Sequence, residues 1–297
     1  MSKKVVVIGG AGNVGQGITK AFKKHNWIVK VIDPQINTTF EELDDLELKK
    51  FFSIKHIIYV AEIGNRDLYA DHPNLAKQNN IRFKNFCKKI SQINPKAIIW
   101  YIGGSWTKRK SNKNWLITDK SPNKDLKDCN PYEKAKISAE NNAKRLSKFV
   151  KIRFLDWASI VPNFSENFTI PKMVKQALSQ GKIIYSPGPY GRPLLETTQA
   201  GEALILLIEH DSYKKQFNKF LLPGLFVSFT EFAQSVKNVI EEKTNKIIRL
   251  EKQSVTPNFL KSKTSSSHLE KLGFKPSKKT VLNALEKNAF LYLRELI

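Results

Sequence analysis

Apolar positions in the first hundred residues switch between two periods. Val5-Val6-Val7-Ile8 is an unbroken β-branched run, the pattern of a central parallel strand covered on both faces. Gln16 to His25 then spaces its apolar residues as a helix does, and Trp27 to Ile32 is a second strand. His56 to Val60 reads as the next buried strand, helical periodicity returns from Asn74 to Ile93, and Ala97 to Ile102 is another apolar strand. Between Asp33 and His56, Asn37 to Phe52 is acidic and only partly helical in pattern. Strands alternating with helices predict an α/β fold, a Rossmann-like doubly wound parallel sheet.

The pattern loosens after residue 162. A loop and a helix over Pro171 to Ser179 come first, then a strand at Phe220 to Leu222 and a helix from Thr230 to Glu242 capped by Thr230. A Ser/Thr/Lys loop, Lys261 to Ser267, precedes a terminal helix over Lys279 to Leu296. The expected organisation is a sheet domain over residues 1–162 and a smaller C-terminal lobe over 163–297, with 192–210 returning to the main sheet.

Composition narrows the classes. A chain of 297 residues with 41% hydrophobic residues can bury a substantial core. Cys87 and Cys129 stand far apart with no Cys/His cluster, which predicts a reduced, cytoplasmic protein with neither a disulfide framework nor a metal site. The opening Met1-Ser2-Lys3-Lys4 leads straight into a strand, without the apolar core of a signal peptide, and no apolar run is long enough to cross a bilayer. The net charge of +23 is the one extreme value. Its lysines are scattered and its longest basic run is Lys108-Arg109-Lys110, so it reads as a compositional habit more than as a nucleic-acid surface.

Chemistry concentrates at the expected strand ends. Gly9-Gly10-Ala11-Gly12-Asn13-Val14-Gly15 follows the first strand and opens a helix. That arrangement suits a pyrophosphate, which needs backbone approach without Cβ atoms and free N–H groups at the positive end of a helix. Asp33 ends the second strand, where an acid can accept hydrogen bonds from adenosine ribose hydroxyls and repel a 2′-phosphate; before Pro34 it would also serve as a plain turn residue. Gly103-Gly104-Ser105 ends a later strand, with Ser105 facing either the site or an ordinary turn. In Asn130-Pro131-Tyr132-Glu133-Lys134-Ala135-Lys136, Asn130 can cap a helix that takes Pro131 in its first turn. Tyr132 and Lys136 then stand at i and i+4 on one face. A free tyrosine titrates near ~10, so a phenol acting as a base at neutral pH needs such a cation beside it.

These motifs, in this order, resemble the extended short-chain dehydrogenase/reductase family, the NAD-dependent epimerase/dehydratase family that includes UDP-glucose 4-epimerase and other nucleotide-sugar enzymes. Later landmarks follow the same order: Glu140, Ile152-Arg153 before Val161-Pro162, Ile170-Pro171-Lys172-Met173, the turn Pro187 to Gly191, Arg192, and His268 to Pro276. The resemblance implies that Ser105, Tyr132 and Lys136 are catalytic and that NAD, rather than NADP, lies along Gly9, Gly12, Asn13, Val14, Gly15, Asp33 and Ala61, with Tyr132 and Lys136 at its nicotinamide end. It implies that a nucleotide sugar is held by Ser105, Asp156, Lys172 and Arg192, with the C-terminal lobe mainly a substrate-binding one. It further implies that Lys136 lowers the pKa of Tyr132, which takes a proton from a sugar hydroxyl, the outcome being epimerisation, oxidation or reduction. Relatives often pair through the helix that carries Tyr132, which implies a homodimer.

The chain also departs from that pattern. Relatives usually carry serines at Gly103 and Gly104, alanine at Glu62 and asparagine at Asp156. Glu42-Leu43 is the nearest match to the strand whose acid meets the adenine, and Trp106-Thr107 lacks the acidic pair of the dehydratases. A degenerate binding protein on the same fold, holding RNA on its basic surface, is the alternative.

Overall fold

The computed structural model describes residues 3–36, 49, 52–62, 68–104, 107, 116–162, 168–253 and 263–297. Its first half runs β1 (Lys4–Ile8), α1 (Asn13–Lys24), β2 (Ile28–Ile32), β3 (His56–Tyr59), α2 (Leu68–Asp71), α3 (Leu75–Ile93), β4 (Ile98–Ile102), β5 (Leu116–Thr118), α4 (Pro131–Leu146) and β6 (Lys151–Trp157). The second half runs β7 (Ser159–Val161), α5 (Thr169–Gln180), β8 (Lys182–Tyr185), β9 (Gly191–Glu196), α6 (Thr197–Glu209), β10 (Phe217–Leu222), β11 (Leu225–Ser228) and α7 (Phe229–Thr244). It closes with β12 (Arg249–Lys252), β13 (Lys263–Ser265), α8 (Ser267–Lys271) and α9 (Lys278–Leu296). Most of Asn37 to Phe52, including Glu42-Leu43, lies outside the described residues, as do Ser105, Trp106 and Lys108 to Lys110.

Six strands form one sheet in the order β10-β6-β4-β3-β1-β2, and every pairing in it is parallel. The fold is Rossmann-like, as the alternation predicted. Because strand side chains alternate between faces, Val5, Val7, Ile58, Trp100, Ile102 and Leu155 enter one core with Ile18 and Phe22 of α1 and Leu204 and Leu207 of α6. Val6, Ile8, Ile57, Tyr59, Ile99, Tyr101 and Phe154 enter the other with Phe83 and Ile90 of α3 and Ala143 and Leu146 of α4. A sheet buried on both faces has no polar side, which is why its strands read as unbroken apolar runs.

A third core gathers Ile170 and Val174 of α5, Phe232 and Val236 of α7, and Val281 and Leu285 of α9. The strand expected at Phe220 to Leu222 is the C-terminal half of β10, and it pairs with β6 in the main sheet. Two local expectations are corrected. Helix α7 begins at Phe229 and is capped by Ser228, whose side chain accepts from the Glu231 N–H while Glu231 returns to the Ser228 N–H, so the cap lies two residues before Thr230. Within the expected loop Lys261 to Ser267, residues 263–265 form β13 and pair in parallel with β5, a partner too distant in sequence for local pattern to disclose. Among the described residues no helix is long and apolar enough to cross a membrane.

His56 opens β3 beneath the sheet's aromatic core. The Trp100 indole N–H donates to its Nδ1 at 3.3 Å, a bond that requires that nitrogen to be unprotonated. Burial, then the charge of Lys55, lower its pKa from 6.5 to about 4. The folded state therefore binds fewer protons here than the unfolded chain, and stability is lost as pH falls through that window. Thermal unfolding followed from pH 7 to pH 4 should show the melting temperature falling, and His56→Leu should flatten that slope.

Candidate active site

The chain order β2-β1-β3 reverses direction at β1, so the loops leaving β1 and β3 diverge and open a crevice between them. The β1 loop is the glycine run. Gly9 has φ of +83°, open to glycine without strain, and a Cβ there would lie 2.8 Å from the Ala61 nitrogen. The two loops therefore touch backbone to backbone. A Cβ on Gly15 would come within 2.1 Å of the Gly9 carbonyl oxygen, which fixes glycine at that position as well. Gly12 differs, because its Cβ would meet only that same oxygen, at 3.4 Å, and so its α-carbon faces open space.

Gly12 also caps α1 without a side-chain hydrogen bond, and the first intrahelical bond runs from the Gln16 N–H to the Gly12 carbonyl. The N–H groups of Asn13, Val14 and Gly15 thus stand in the unpartnered first turn at the positive end of α1. The Asn13 side chain donates to the Pro162 carbonyl, and Val14 packs against the sheet core, so from these two residues the backbone is what remains to offer. Asp33 is buried. Its Oδ2 accepts from the Ala11 N–H and its Oδ1 from the Gln35 N–H, both at 2.9 Å. Each oxygen keeps a second lone pair, so the carboxylate that braces the glycine loop can also accept from a ribose diol. The residues present fit a dinucleotide.

Helix α4 carries Tyr132 and Lys136. Asn130 accepts from the Glu133 N–H and Glu133 returns to the Asn130 N–H, closing a capping box in front of Pro131. Lys124 holds the outer oxygen of Glu133 at 2.6 Å. One turn along, the Lys136 ammonium lies 5.4 Å from the centroid of the Tyr132 ring. The Tyr132 hydroxyl points at the end of β4, 3.5 Å from where a Cβ on Gly104 would stand. Gly103 is different, since a Cβ there would press to 2.4 Å on the Phe154 ring, so the aromatic core behind β4 excludes a serine at 103 but not at 104. Ser105, the next residue, lies outside the described set.

Glu62, just beyond β3, has a partner that no local pattern in the sequence discloses. Its Oε2 stands 2.6 Å from the Lys136 ammonium, with 5% of the lysine side chain and 8% of the glutamate exposed. Burial by itself would lower the Lys136 pKa; the Glu62 carboxylate, then the Tyr132 and Tyr69 phenols, outweigh it and hold the ammonium above the usual lysine range. Tyr69 packs edge-on against Tyr132 at 5.6 Å, and burial, then Glu62, push its phenol well above the ordinary tyrosine value.

The remaining sequence-predicted residues stand on other elements. Asp156 is buried on β6, and Lys172 is exposed on the first turns of α5. Arg192 lies on β9 with its guanidinium 5.9 Å from the rings of both Phe168 and Phe229.

The fold is shared with solved nucleotide-sugar enzymes. A UDP-N-acetylglucosamine 4-epimerase from Methanobrevibacter ruminantium, in complex with UDP-N-acetylmuramic acid, superposes with a TM-score of 0.71 at 20% identity over 100% of this chain and 99% of its own. The UDP-Glc/GlcNAc 4-epimerase of Campylobacter jejuni superposes with a TM-score of 0.72 at 16% identity over 99% of this chain and 100% of its own. MoeE5, in complex with UDP-glucose and NAD, does so with a TM-score of 0.69 at 14% identity, again over 99% and 100%. Comparison with curated protein sequences finds no match. Residues 5–220, spanning the whole main sheet almost to the end of β10, match a single family, and the chain belongs to the NAD dependent epimerase/dehydratase family.

Proposed function

We propose that the protein is an NAD-dependent nucleotide-sugar epimerase or dehydrogenase in which Tyr132 is the base. The observation that carries this reading is the juxtaposition at the crevice: the Tyr132 hydroxyl beside the end of β4, the Lys136 ammonium one turn away, and the glycine loop in backbone contact with Ala61. NAD, when bound, supplies the hydride acceptor. The chain supplies the rest. First-turn N–H groups of α1 would receive the pyrophosphate, and Asp33 the adenosine ribose.

Tyr132 would take the proton from a sugar hydroxyl while Lys136 favours the phenolate by its charge, and Ser105 would hydrogen-bond the same oxygen as it becomes a carbonyl. Asp156, Lys172 and Arg192 are the proposed substrate-side residues. The Arg192 guanidinium, set between two aromatic rings, has the planar fork that suits a diphosphate. Support also comes from the fold neighbours, which include an epimerase holding UDP-N-acetylmuramic acid and MoeE5 holding UDP-glucose and NAD. A substrate lobe is proposed around the third core, built from α5, α7 and α9. A homodimer would use the outward face of α4, where Lys134, Ser138, Lys144 and Arg145 line an open groove. Buried, unlinked Cys87 and Cys129 suit a cytoplasmic setting.

Tyr132→Phe should lower turnover of a UDP-sugar by about 10²-fold or more, the scale of a lost general base, while NAD affinity measured by calorimetry stays within a few-fold. Turnover unchanged in that variant removes Tyr132 from proton transfer. Asp33→Ala should narrow the preference for NAD over NADP by about tenfold, roughly 1.4 kcal/mol, read from dissociation constants of the two cofactors. An unaltered ratio takes Asp33 out of the cofactor site.

A further inference from the structure

Glu62 has no place in the proton-transfer scheme above, yet it is the most tightly engaged carboxylate in the crevice. It follows β3 at the divergence of the two loops, and its contact with Lys136 joins residues 74 positions apart. Its second oxygen lies 3.4 Å from the Tyr69 hydroxyl, which accepts in turn from the Asn79 side-chain amide at 3.1 Å. Glu62 also acts on Tyr101 of β4, whose phenol is held well above the usual range by burial, then by that carboxylate. The groups around Glu62 are thus Lys136 of α4, Tyr69 of α2 and Tyr101 of β4, with Tyr132 behind the ammonium, Asn79 behind the Tyr69 hydroxyl and Tyr59 stacked on Tyr101.

Two physical consequences follow from this enclosure. A lysine side chain that is 5% exposed and clamped at 2.6 Å has little freedom to leave the flank of the Tyr132 ring. Its charge is also answered at contact distance, so a phenol beside it feels a dipole in place of a bare cation. We propose that Glu62 is a positioning residue for proton transfer at Tyr132: its carboxylate holds the Lys136 ammonium against the phenol and offsets that charge, setting the pH at which the phenolate forms. The proposal rests on the reading of Tyr132 as the base, and it gives the Glu62 departure from the family pattern a role in that site. A diol approaching Lys136 would meet a paired donor and acceptor.

Phenolate absorbance, titrated on the full-length protein without substrate, tests this apart from turnover. The Tyr132 contribution is isolated by subtracting the same background carrying Tyr132→Phe. In Glu62→Gln the Lys136 charge is uncompensated, so Tyr132 should titrate about one pH unit or more below its value in the parent, and the acid limb of the pH–turnover profile should move the same way. Because a lone buried ammonium threatens folding, the double variant Glu62→Gln/Lys136→Gln supplies a second reading. If Glu62 offsets most of the Lys136 charge and leaves a small net attraction for the phenolate, the double variant titrates less than about one unit above the parent; if Lys136 acts alone, it titrates about one unit or more above it. An unmoved Tyr132 titration in folded Glu62→Gln, one raised by a unit or more in the double variant, or activity lost with an unshifted pH profile each overturns the proposal. Absence of turnover in the parent would count against the enzymatic reading and leave the titration result standing.

Discussion

A fully charged ammonium buried beside a phenol is the constraint around which the crevice is arranged. Lys136 is removed from water on every side, and an isolated charge there would cost several kcal/mol even after local relaxation. Glu62 answers it from the end of β3, so the loop that meets the glycine run and the helix that carries Tyr132 are tied by one contact. The capping box at Asn130 and Glu133, with Lys124 outside it, fixes the start of that helix and so the height of Tyr132 above the sheet. Tyr69, itself held by the Asn79 amide, then closes the carboxylate's second oxygen. Each of these contacts positions the next, and none would hold the geometry alone.

The parallel sheet makes such a site affordable only at one end. With both faces buried by α1 and α6 on one side and α3 and α4 on the other, polar chemistry is confined to the carboxyl ends of the strands. The glycine loop, Asp33, Glu62 and Gly104 all follow such ends. The departure from serine at Gly103 also comes from this packing, because Phe154, part of the second core, fills the space a side chain would need. The position one residue on keeps its space, directed at the Tyr132 hydroxyl. Core and site are therefore not independent: an aromatic chosen to fill the sheet's underside limits which residues can serve the crevice.

Local rules account for what could be read from the residues alone. The β-branched run Val5 to Ile8 required a doubly covered strand, the spacing of glycines after it required a tight turn into a helix, and Asn130-Pro131 required a helix start. A helix rises by a fixed angle and distance per residue, so Tyr132 and Lys136 had to share a face wherever the helix went. The cap of α7 lies two residues before the one the local pattern suggests, because Ser228 and Thr230 offer the same chemistry and only the reciprocal bond from Glu231 distinguishes them.

Tertiary structure decided the partners. Nothing within a few residues of Glu62 announces Lys136, Tyr69 or Tyr101, because those contacts depend on which strands lie side by side in the sheet. The same holds for the Asp33 carboxylate on the Ala11 N–H, for β10 joining β6 and for β13 joining β5. The amino-acid sequence by itself determined the elements, their order and the chemistry on each, since backbone propensity and side-chain period act over one or two turns. Which charge meets which was settled only when the chain packed, because a buried ion pair is a property of two distant segments brought within 3 Å and has no signature in either one.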